Sequence, residues 1–342
     1  MYYMHQEIYE QAKIIEKLER LIEPKMIEFR QLYLNKNPKH IILAARGSSD
    51  NACQYFRYLE EIKCGLPVSF AAPSIITMYQ GNIHYHDALV IGVSQSGQAQ
   101  DVLELMKQAK QQGALVISIT NDLSSPMALA SDLSIGLHAN KELSVAATKT
   151  FTTELYALAS CVNAMSSYTL APELNKVSKS IEETCLVEQE IEKAAQLFIK
   201  TEEVYVLARG LLYAAAQEGA LKLLETTYIH AKAYSVSDFH HGPFAAIDEN
   251  VQVIVLLEKG PTYDDTLEMI KKCEYAHAKL LIFTNDETYT NRNKVIYLPT
   301  APQSIQIFSY TVALQLFAYH VARAKGLNPD EPRGLKKVTI TK

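Results

Sequence analysis

Four apolar runs occur twice in this chain, in the same order and at nearly constant spacing. IILAARGSSD at 41–50 is matched by VYVLARGLLY at 204–213, so that Arg46 answers to Arg209. VIGVSQSG at 90–97 is matched by VIVLLEKG at 253–260 at the same offset, and ALVISITND at 114–122 by LLIFTND at 280–286 with a shift of only one position. DLSIGL at 132–137 answers KVIYLP at 294–299. Chance could give one such pair; four in register indicate a duplicated unit.

The stretches between the runs read as helices. DVLELMKQAKQQG (101–113) places Val102, Leu105, Met106 and Ala109 on one face and stops at Gly113. TLEMIKKCEYAHAK (266–279) fills the same slot in the second half, and FTTELYALASCVNAM (151–165) and SYTVALQLFAYHVARAKG (309–326) close the two halves. Strands alternating with helices predict a parallel sheet covered on both faces, and the nearly unbroken apolar character of the strands agrees. The expected fold is α/β: two tandem three-layer α/β/α sandwiches of flavodoxin-like type. The expected boundaries are a helical segment over 1–35, a first domain over 36–170, a single long Glu- and Lys-rich linking helix over 171–200, and a second domain over 201–342.

Composition bears on partners. With 33 basic and 38 acidic side chains the net charge is −5, and no Lys/Arg block is present, so neither nucleic acid nor an anionic membrane is expected as a partner. No run of 18 apolar residues and no apolar leader in MYYMHQEIYEQ are seen, and the five scattered cysteines form no CxxC; a cytoplasmic protein with reduced thiols and no zinc site is expected.

In open α/β sheets ligands sit beyond the carboxyl ends of the strands. In the first half those ends carry Gly47-Ser48-Ser49 and Ser94-Gln95-Ser96-Gly97, two hydroxyl-rich turns that open helices. Together they offer a neutral anion cradle suited to a phosphomonoester, although Ser and Gly also serve simply as helix caps. The second half has Gly210-Leu211-Leu212 and Glu258-Lys259-Gly260 instead, so one phosphate site per chain is expected. No Walker loop and no GxGxxG follows a strand, and no metal-binding histidine pair is present; no nucleotide cofactor and no metal are expected. Glu218, Lys222 and Glu225 share one helix face, which spacing alone reads either as a salt-bridged solvated stripe or as a functional group. His241 stands beside Gly242-Pro243, and the tail carries Arg333-Gly334-Leu335-Lys336-Lys337.

These motifs, taken in order, resemble the SIS (sugar isomerase) superfamily: EIYEQ (7–11), RGSS (46–49), SQSG (94–97), AATKTFTTEL (146–155), EGALKLLE (218–225), YIHAKAY (228–234), HGP (241–243) and PRGLKK (332–337). Within it, the chain is similar to the isomerase portion of the glutamine–fructose-6-phosphate aminotransferases. The expectation is that it lacks their glutaminase domain, since it enters the isomerase region directly after Met1. AAPSIITMYQ (71–80) and GLNPDEPRGLKKVT (326–339) look most like SIS-type glucosamine-6-phosphate deaminases.

The resemblance implies roles. Gly47, Ser48, Ser49, Ser94, Gln95 and Ser96 would bind phosphosugar, with Gln98 compensating for Ala99, which stands where the aminotransferases carry a Thr. Val145 would contact the sugar through its backbone. Glu225 would shuttle a proton between C1 and C2, His241 of a partner subunit would open the ring, Lys222 would assist, and Lys337 would form a Schiff base. Lys336 replaces an Ala of the family and has no assigned role. A homodimer with a shared active site and no cofactor is implied. The implied activity is hydrolytic deamination of an amino-sugar phosphate, with deglycation of fructosamine 6-phosphates and non-catalytic sugar-phosphate sensing as the alternatives.

Overall fold

A computed structural model describes residues 2–337 of the chain. After a long helix α1 (Tyr3–Lys36), the first half runs β1 (His40–Ala44), α2 (Ser48–Lys63), β2 (Val68–Phe70), α3 (Ser74–Thr77), β3 (Ala88–Val93), α4 (Gln100–Gln111), β4 (Leu115–Thr120), α5 (Pro126–Ala130), β5 (Leu133–Gly136) and α6 (Lys149–Met165). Three short helices follow, α7 (Ala171–Leu174), α8 (Val177–Cys185) and α9 (Glu188–Ala195). The second half runs β6 (Glu203–Ala208), α10 (Tyr213–Thr227), β7 (His230–Ser235), α11 (Val236–His240), β8 (Gln252–Leu257), α12 (Tyr263–Tyr275), β9 (Lys279–Thr284), β10 (Lys294–Tyr297) and α13 (Gln306–Ala324).

Each half forms one five-stranded, fully parallel sheet. The orders are β2-β1-β3-β4-β5 and, read in the same sense, β7-β6-β8-β9-β10. The repeat is therefore a repeat of topology: β1 pairs β3 from His40↔Ala88 to Ala44↔Gly92, and β6 pairs β8 from Val204↔Gln252 to Leu207↔Val255. Parallel strands are covered on both faces, and β3 and β4 are buried at every position. Against the first sheet Val90, Val102, Leu105, Met106 and Val116 form one apolar cluster, and Leu207, Val255, Met269, Ile270 and Ile282 form its counterpart in the second.

The chain divides into two compact units. One contains Lys13–Glu142, Lys149–Asn175 and the tail residues Lys336 and Lys337, and carries the first sheet. The other contains residues 2–12, Leu143–Thr148 and Lys176–Leu335, and carries the second. Lys336 and Lys337 thus pack with the first sheet, although they follow the second in sequence. The single linking helix expected over 171–200 is replaced by α7, α8 and α9. At the α8–α9 break Leu186 N–H and Val187 N–H bond back to the Glu183 and Thr184 carbonyls at 3.2 Å each, the tighter spacing that ends an α-helix. Two strands escaped the sequence pattern: β2, a short VSF, and β7, whose sequence HAKAYS alternates polar groups along the sheet edge.

Among the described residues no helix is long and apolar enough to cross a membrane, and no group of His, Cys, Asp or Glu could hold a metal ion. One buried polar group stands out in the second unit. Glu258, following β8 at its carboxyl end, is 3% exposed, and its Oε1 has no hydrogen-bond partner among the described residues. Burial pushes its carboxyl up to about 8, from an ordinary value of 4.5. The folded state therefore holds this proton more tightly than the unfolded state, and stability falls as pH rises from about 4.5 through about 8. Glu258→Gln should flatten that part of the pH–stability profile and raise Tm at pH 8, where about 2–4 °C corresponds to each kcal/mol recovered in a domain of this size. Thermal unfolding from pH 5 to 9 reads this out; a variant that keeps the wild-type slope would show that Glu258 ionises freely.

Candidate functional site

The carboxyl edge of the first sheet gathers the predicted anion cradle. Gly47, in the left-handed region at φ 56°, leads from β1 into α2, whose first residues are Ser48 and Ser49. The Ser49 hydroxyl donates to the Glu154 carboxylate at 2.8 Å in the interior, which commits its proton away from any ligand. Arg46, just before this turn, forks onto Asp101 in the first turn of α4 at 2.6 and 2.9 Å and so ties the starts of α2 and α4 together. In the second turn, the Ser94 hydroxyl accepts from Gly97 N–H at 3.2 Å and the Ser96 hydroxyl accepts from Gln98 N–H at 3.3 Å; each retains its own proton to donate. Gly97 is required here. It sits at φ 63°, and a Cβ would lie 2.0 Å from the Ser125 hydroxyl that caps α5.

Gln95, Ser96 and Gln98 form one wall of a cavity of about 600 Å³. Asn121 and Asp122, which follow β4, and the segment 138–142 after β5 continue it, and Lys17 of α1 and Lys337 of the tail complete it. The Lys337 ammonium donates to the buried Glu142 carboxylate. Glu142 in turn accepts from the Thr150 N–H at 3.1 Å and the Thr150 hydroxyl at 2.7 Å, capping the start of α6. The lysine side chain is 25% exposed, so its amine lies beside a fixed carboxylate and within reach of the cavity. Burial, and then the charge of Lys17, lowers the His138 pKa below its ordinary value. Glu142, Lys17, His138 and Asn121 were not singled out from sequence; the one available signal was an acidic residue shortly before the Thr that opens an apolar helix.

The second unit holds the remaining expected residues. Lys222 of α10 is completely buried, with Glu218 at 3.2 Å and Glu225 at 2.6 Å. Burial by itself would strip its proton, but the two carboxylates outweigh that and hold it above the ordinary lysine range. A solvated stripe is thereby excluded. The Glu225 side chain is 22% exposed and is the member of the group that solvent or a ligand can meet. His241 is exposed on the turn between α11 and Gly242, which sits at φ 141°, and no hydrogen bond or ion pair joins its side chain to Glu225 among the described residues. Val145 N–H donates to the Asp330 carbonyl at 3.2 Å, while the Asp330 carboxylate caps α1 through the N–H groups of Tyr3 and Met4 at 2.8 and 2.7 Å.

This duplicated architecture has counterparts among known proteins. A family model described as the SIS domain matches residues 34–164 and again residues 197–324. The chain belongs to the SIS domain family. Over 99% of its length this SIS chain is 34% identical to glutamine–fructose-6-phosphate aminotransferase (isomerizing) of Aquifex aeolicus, of which the match covers 58%. It thus spans a little over half the length of that relative. The solved C-terminal domain of glucosamine-fructose-6-phosphate aminotransferase from Francisella tularensis is 28% identical, with a TM-score of 0.89 over 97% of this chain and 98% of that one. Glucosamine-6-phosphate deaminase from Thermotoga maritima, at 21% identity, shares the fold with a TM-score of 0.80 over 99% of this chain and all of its own.

In this SIS protein the first unit collects the cradle turns, Glu142 and Lys337, and the second collects Val145, Lys222, Glu225 and His241. The buried group on α10 gives a sharp stability expectation. Lys222→Met removes the cation between two carboxylates and should cost about 3–5 kcal/mol, as is usual when one partner of a buried pair is lost. Glu225→Gln should cost distinctly less, because Glu225 is partly solvated. Urea unfolding of both variants measures the difference; equal losses would contradict the burial argument.

Proposed function

We propose that this SIS protein is an amino-sugar phosphate isomerase-deaminase that converts glucosamine 6-phosphate and water to fructose 6-phosphate and ammonia. The observation that carries the reading is the Glu225–Lys222–Glu218 group. It is a partly exposed carboxylate held against a fully buried ammonium, in a chain similar along its whole length to an isomerizing aminotransferase.

The chemistry follows from the residues. The 6-phosphate is assigned to the Ser94–Gln98 turn and the N-terminus of α2, where Ser94, Ser96 and the main-chain N–H groups donate. Ser48, Gln95 and Gln98 join this assignment; Ser49 supports it through Glu154 rather than through its own hydroxyl. His241, on an exposed turn, is assigned the proton transfer from the anomeric hydroxyl to O5 that opens the ring, acting on the site of a second copy of the chain. Glu225 then takes the C2 proton and returns it to C1, leaving a ketimine at C2 and a C1 alcohol. Lys222, the buried cation beside it, holds Glu225 in place. Lys337 adds to C2 as ammonia leaves, and water hydrolyses the resulting iminium to fructose 6-phosphate and the free amine. For that addition the lysine must shed a proton, and Glu142 is the acceptor already in contact with it. Val145 is assigned a main-chain contact to the sugar.

The pure protein, given glucosamine 6-phosphate without glutamine or metal, should release ammonia and fructose 6-phosphate, measured by coupled dehydrogenase assays. Glu225→Gln should lower kcat by about 10²–10⁴-fold, the usual worth of a general acid–base group, with KM little changed. Release of amino acid from fructosamine 6-phosphates, with no ammonia from glucosamine 6-phosphate, would replace the deaminase by a deglycase. Co-expressed Glu225→Gln and His241→Ala chains should together regain about a quarter of wild-type activity if a homodimer shares the site, since half of randomly formed dimers are hybrids with one intact site each. No recovery in demonstrably mixed dimers would place both groups on one chain.

A further inference from the structure

Asn121, just past the carboxyl end of β4, is bonded in two directions. Its main-chain N–H donates to the Gln95 carbonyl at 3.1 Å, inside the Ser94–Gln98 turn. Its side chain clasps the segment after β5: Nδ2 donates to the Asn140 carbonyl at 2.8 Å, and Oδ1 accepts from Ala139 N–H at 2.9 Å. The clasped segment is an unusual one. His138 and Asn140 both adopt left-handed backbone, at φ 50° and 57°, a region that L residues other than glycine disfavour. Shortly after it comes Glu142, whose carboxylate holds the Lys337 ammonium. A continuous line of hydrogen bonds and a short stretch of main chain thus runs from the phosphate turn to the lysine.

The duplication supplies an internal control. Thr120-Asn121-Asp122 recurs as Thr284-Asn285-Asp286 at the end of β9. There the Asn285 side chain accepts from Lys259 N–H at 2.8 Å and donates to the Gln306 side chain at 3.1 Å. The side chain of the same residue at the same strand end therefore ties down the β8 turn and α13, while the loop that follows β10 reaches Asn285 through its main chain, the Thr300 hydroxyl donating to the Asn285 carbonyl at 3.1 Å. The clasp onto a strained loop belongs to the half that carries the serine turn, the cavity and Lys337.

We propose that Asn121 is a positioning residue that transmits occupancy of the Ser94–Gln98 turn by a phosphate group to the Glu142–Lys337 pair. The proposal rests on the reading of that turn as the phosphate site. A phosphate that draws in the turn's N–H groups moves the Gln95 carbonyl, and Asn121 passes that displacement to the loop that seats Glu142. The substrate's own phosphate would then set the lysine for reaction, and a sugar lacking it would meet a lysine still locked on its carboxylate.

The test reads Lys337 directly, independent of turnover. The full chain is labelled with trinitrobenzenesulfonate, an amine-directed reagent, from pH 7 to 10 with and without inorganic phosphate. The Lys337 peptide is quantified by mass spectrometry, and phosphate binding is followed separately by calorimetry. In the wild type, phosphate should change the Lys337 labelling rate about fivefold, the lower end of ordinary coupling between two sites. Asn121→Ala should still bind phosphate but lose the change. Asn121→Asp, which keeps the acceptor for Ala139 N–H and lacks the donor to Asn140, should retain part of it and serves if the alanine variant unfolds. An Asn121→Ala chain that binds phosphate and shows the full fivefold change would overturn the proposal, since the phosphate would then be acting on Lys337 directly. Bound phosphate with no change in the wild type would also overturn it. Absence of phosphate binding in the calorimeter would instead remove the phosphate reading on which it stands, while ammonia release from glucosamine 6-phosphate tests the proposed reaction separately.

Discussion

Parallel strands need both faces covered, and the rest of this molecule follows from that requirement. β3 and β4 are buried at every position, so they can carry no chemistry along their length. Because the paired strands run parallel, the loops after β1, β3, β4 and β5 emerge at one edge. There they lie close enough to bond one another: Arg46 to Asp101, Asn121 to Gln95 and Asn140, and Glu142 to Thr150. The cavity is the space those loops cannot fill. Its walls combine the polar side chains of the Ser94–Gln98 turn and of Asn121 with the charged side chains of Lys17, Glu142 and Lys337.

Two lysines illustrate how exposure separates roles that charge alone cannot. Lys222 and Lys337 each stand against carboxylates, Lys222 between Glu218 and Glu225 and Lys337 on Glu142. Lys222 is fully buried and held in its charged form by two anions, so it has neither the lone pair nor the access a nucleophile needs. Its physical effect is on Glu225, whose carboxylate it pins at 2.6 Å. Lys337 faces the Glu142 carboxylate and is a quarter exposed, so a single proton transfer to Glu142 leaves a reachable neutral amine. Spacing alone does not reveal this distinction, because the carboxylate that meets Lys337 is Glu142, 195 residues earlier in the chain.

What the sequence did make legible had a periodic or local signature. The strands β1, β3, β4 and β5 and their counterparts β6, β8, β9 and β10 are apolar runs bounded by turns, and their nearly constant offset marked them twice over. The serine turns were visible because Gly and Ser at a strand end have a local meaning. β2 and β7 were hidden because an edge strand is half solvated and need not be apolar. The break between α8 and α9 lacks glycine or proline and is made by main-chain bonds that switch to a tighter spacing. Glu142 and Asn121 were invisible for a further reason: their partners, Lys337 and Gln95, come from other loops far along the chain, and no periodicity encodes such a contact.

The duplicated halves differ in an ordered way. What recurs is scaffold: the Arg46–Asp101 pair has its equivalent in Arg209–Asp265 at 2.8 Å, and Thr-Asn-Asp closes the fourth strand of each sheet. What does not recur is every group with a ligand-facing or proton-transfer assignment. Gln95 of the serine turn becomes Glu258, buried and holding its proton to about pH 8, which is no longer a cradle for an anion. Conversely, at the offset that relates Arg46 to Arg209, the first-half counterparts of Glu218, Lys222 and Glu225 are Tyr55, Leu59 and Ile62, and Tyr55 and Leu59 are ordinary core residues. One half has serine-rich turns at its strand ends and apolar residues at these positions of α2; the other has Leu211, Leu212 and Glu258 at its strand ends and a buried charged group at the matching positions of α10. That divergence leaves the serine turns in one half and the buried Glu218–Lys222–Glu225 group in the other. Two identical halves would instead have carried the serine turns twice and the buried charged group not at all.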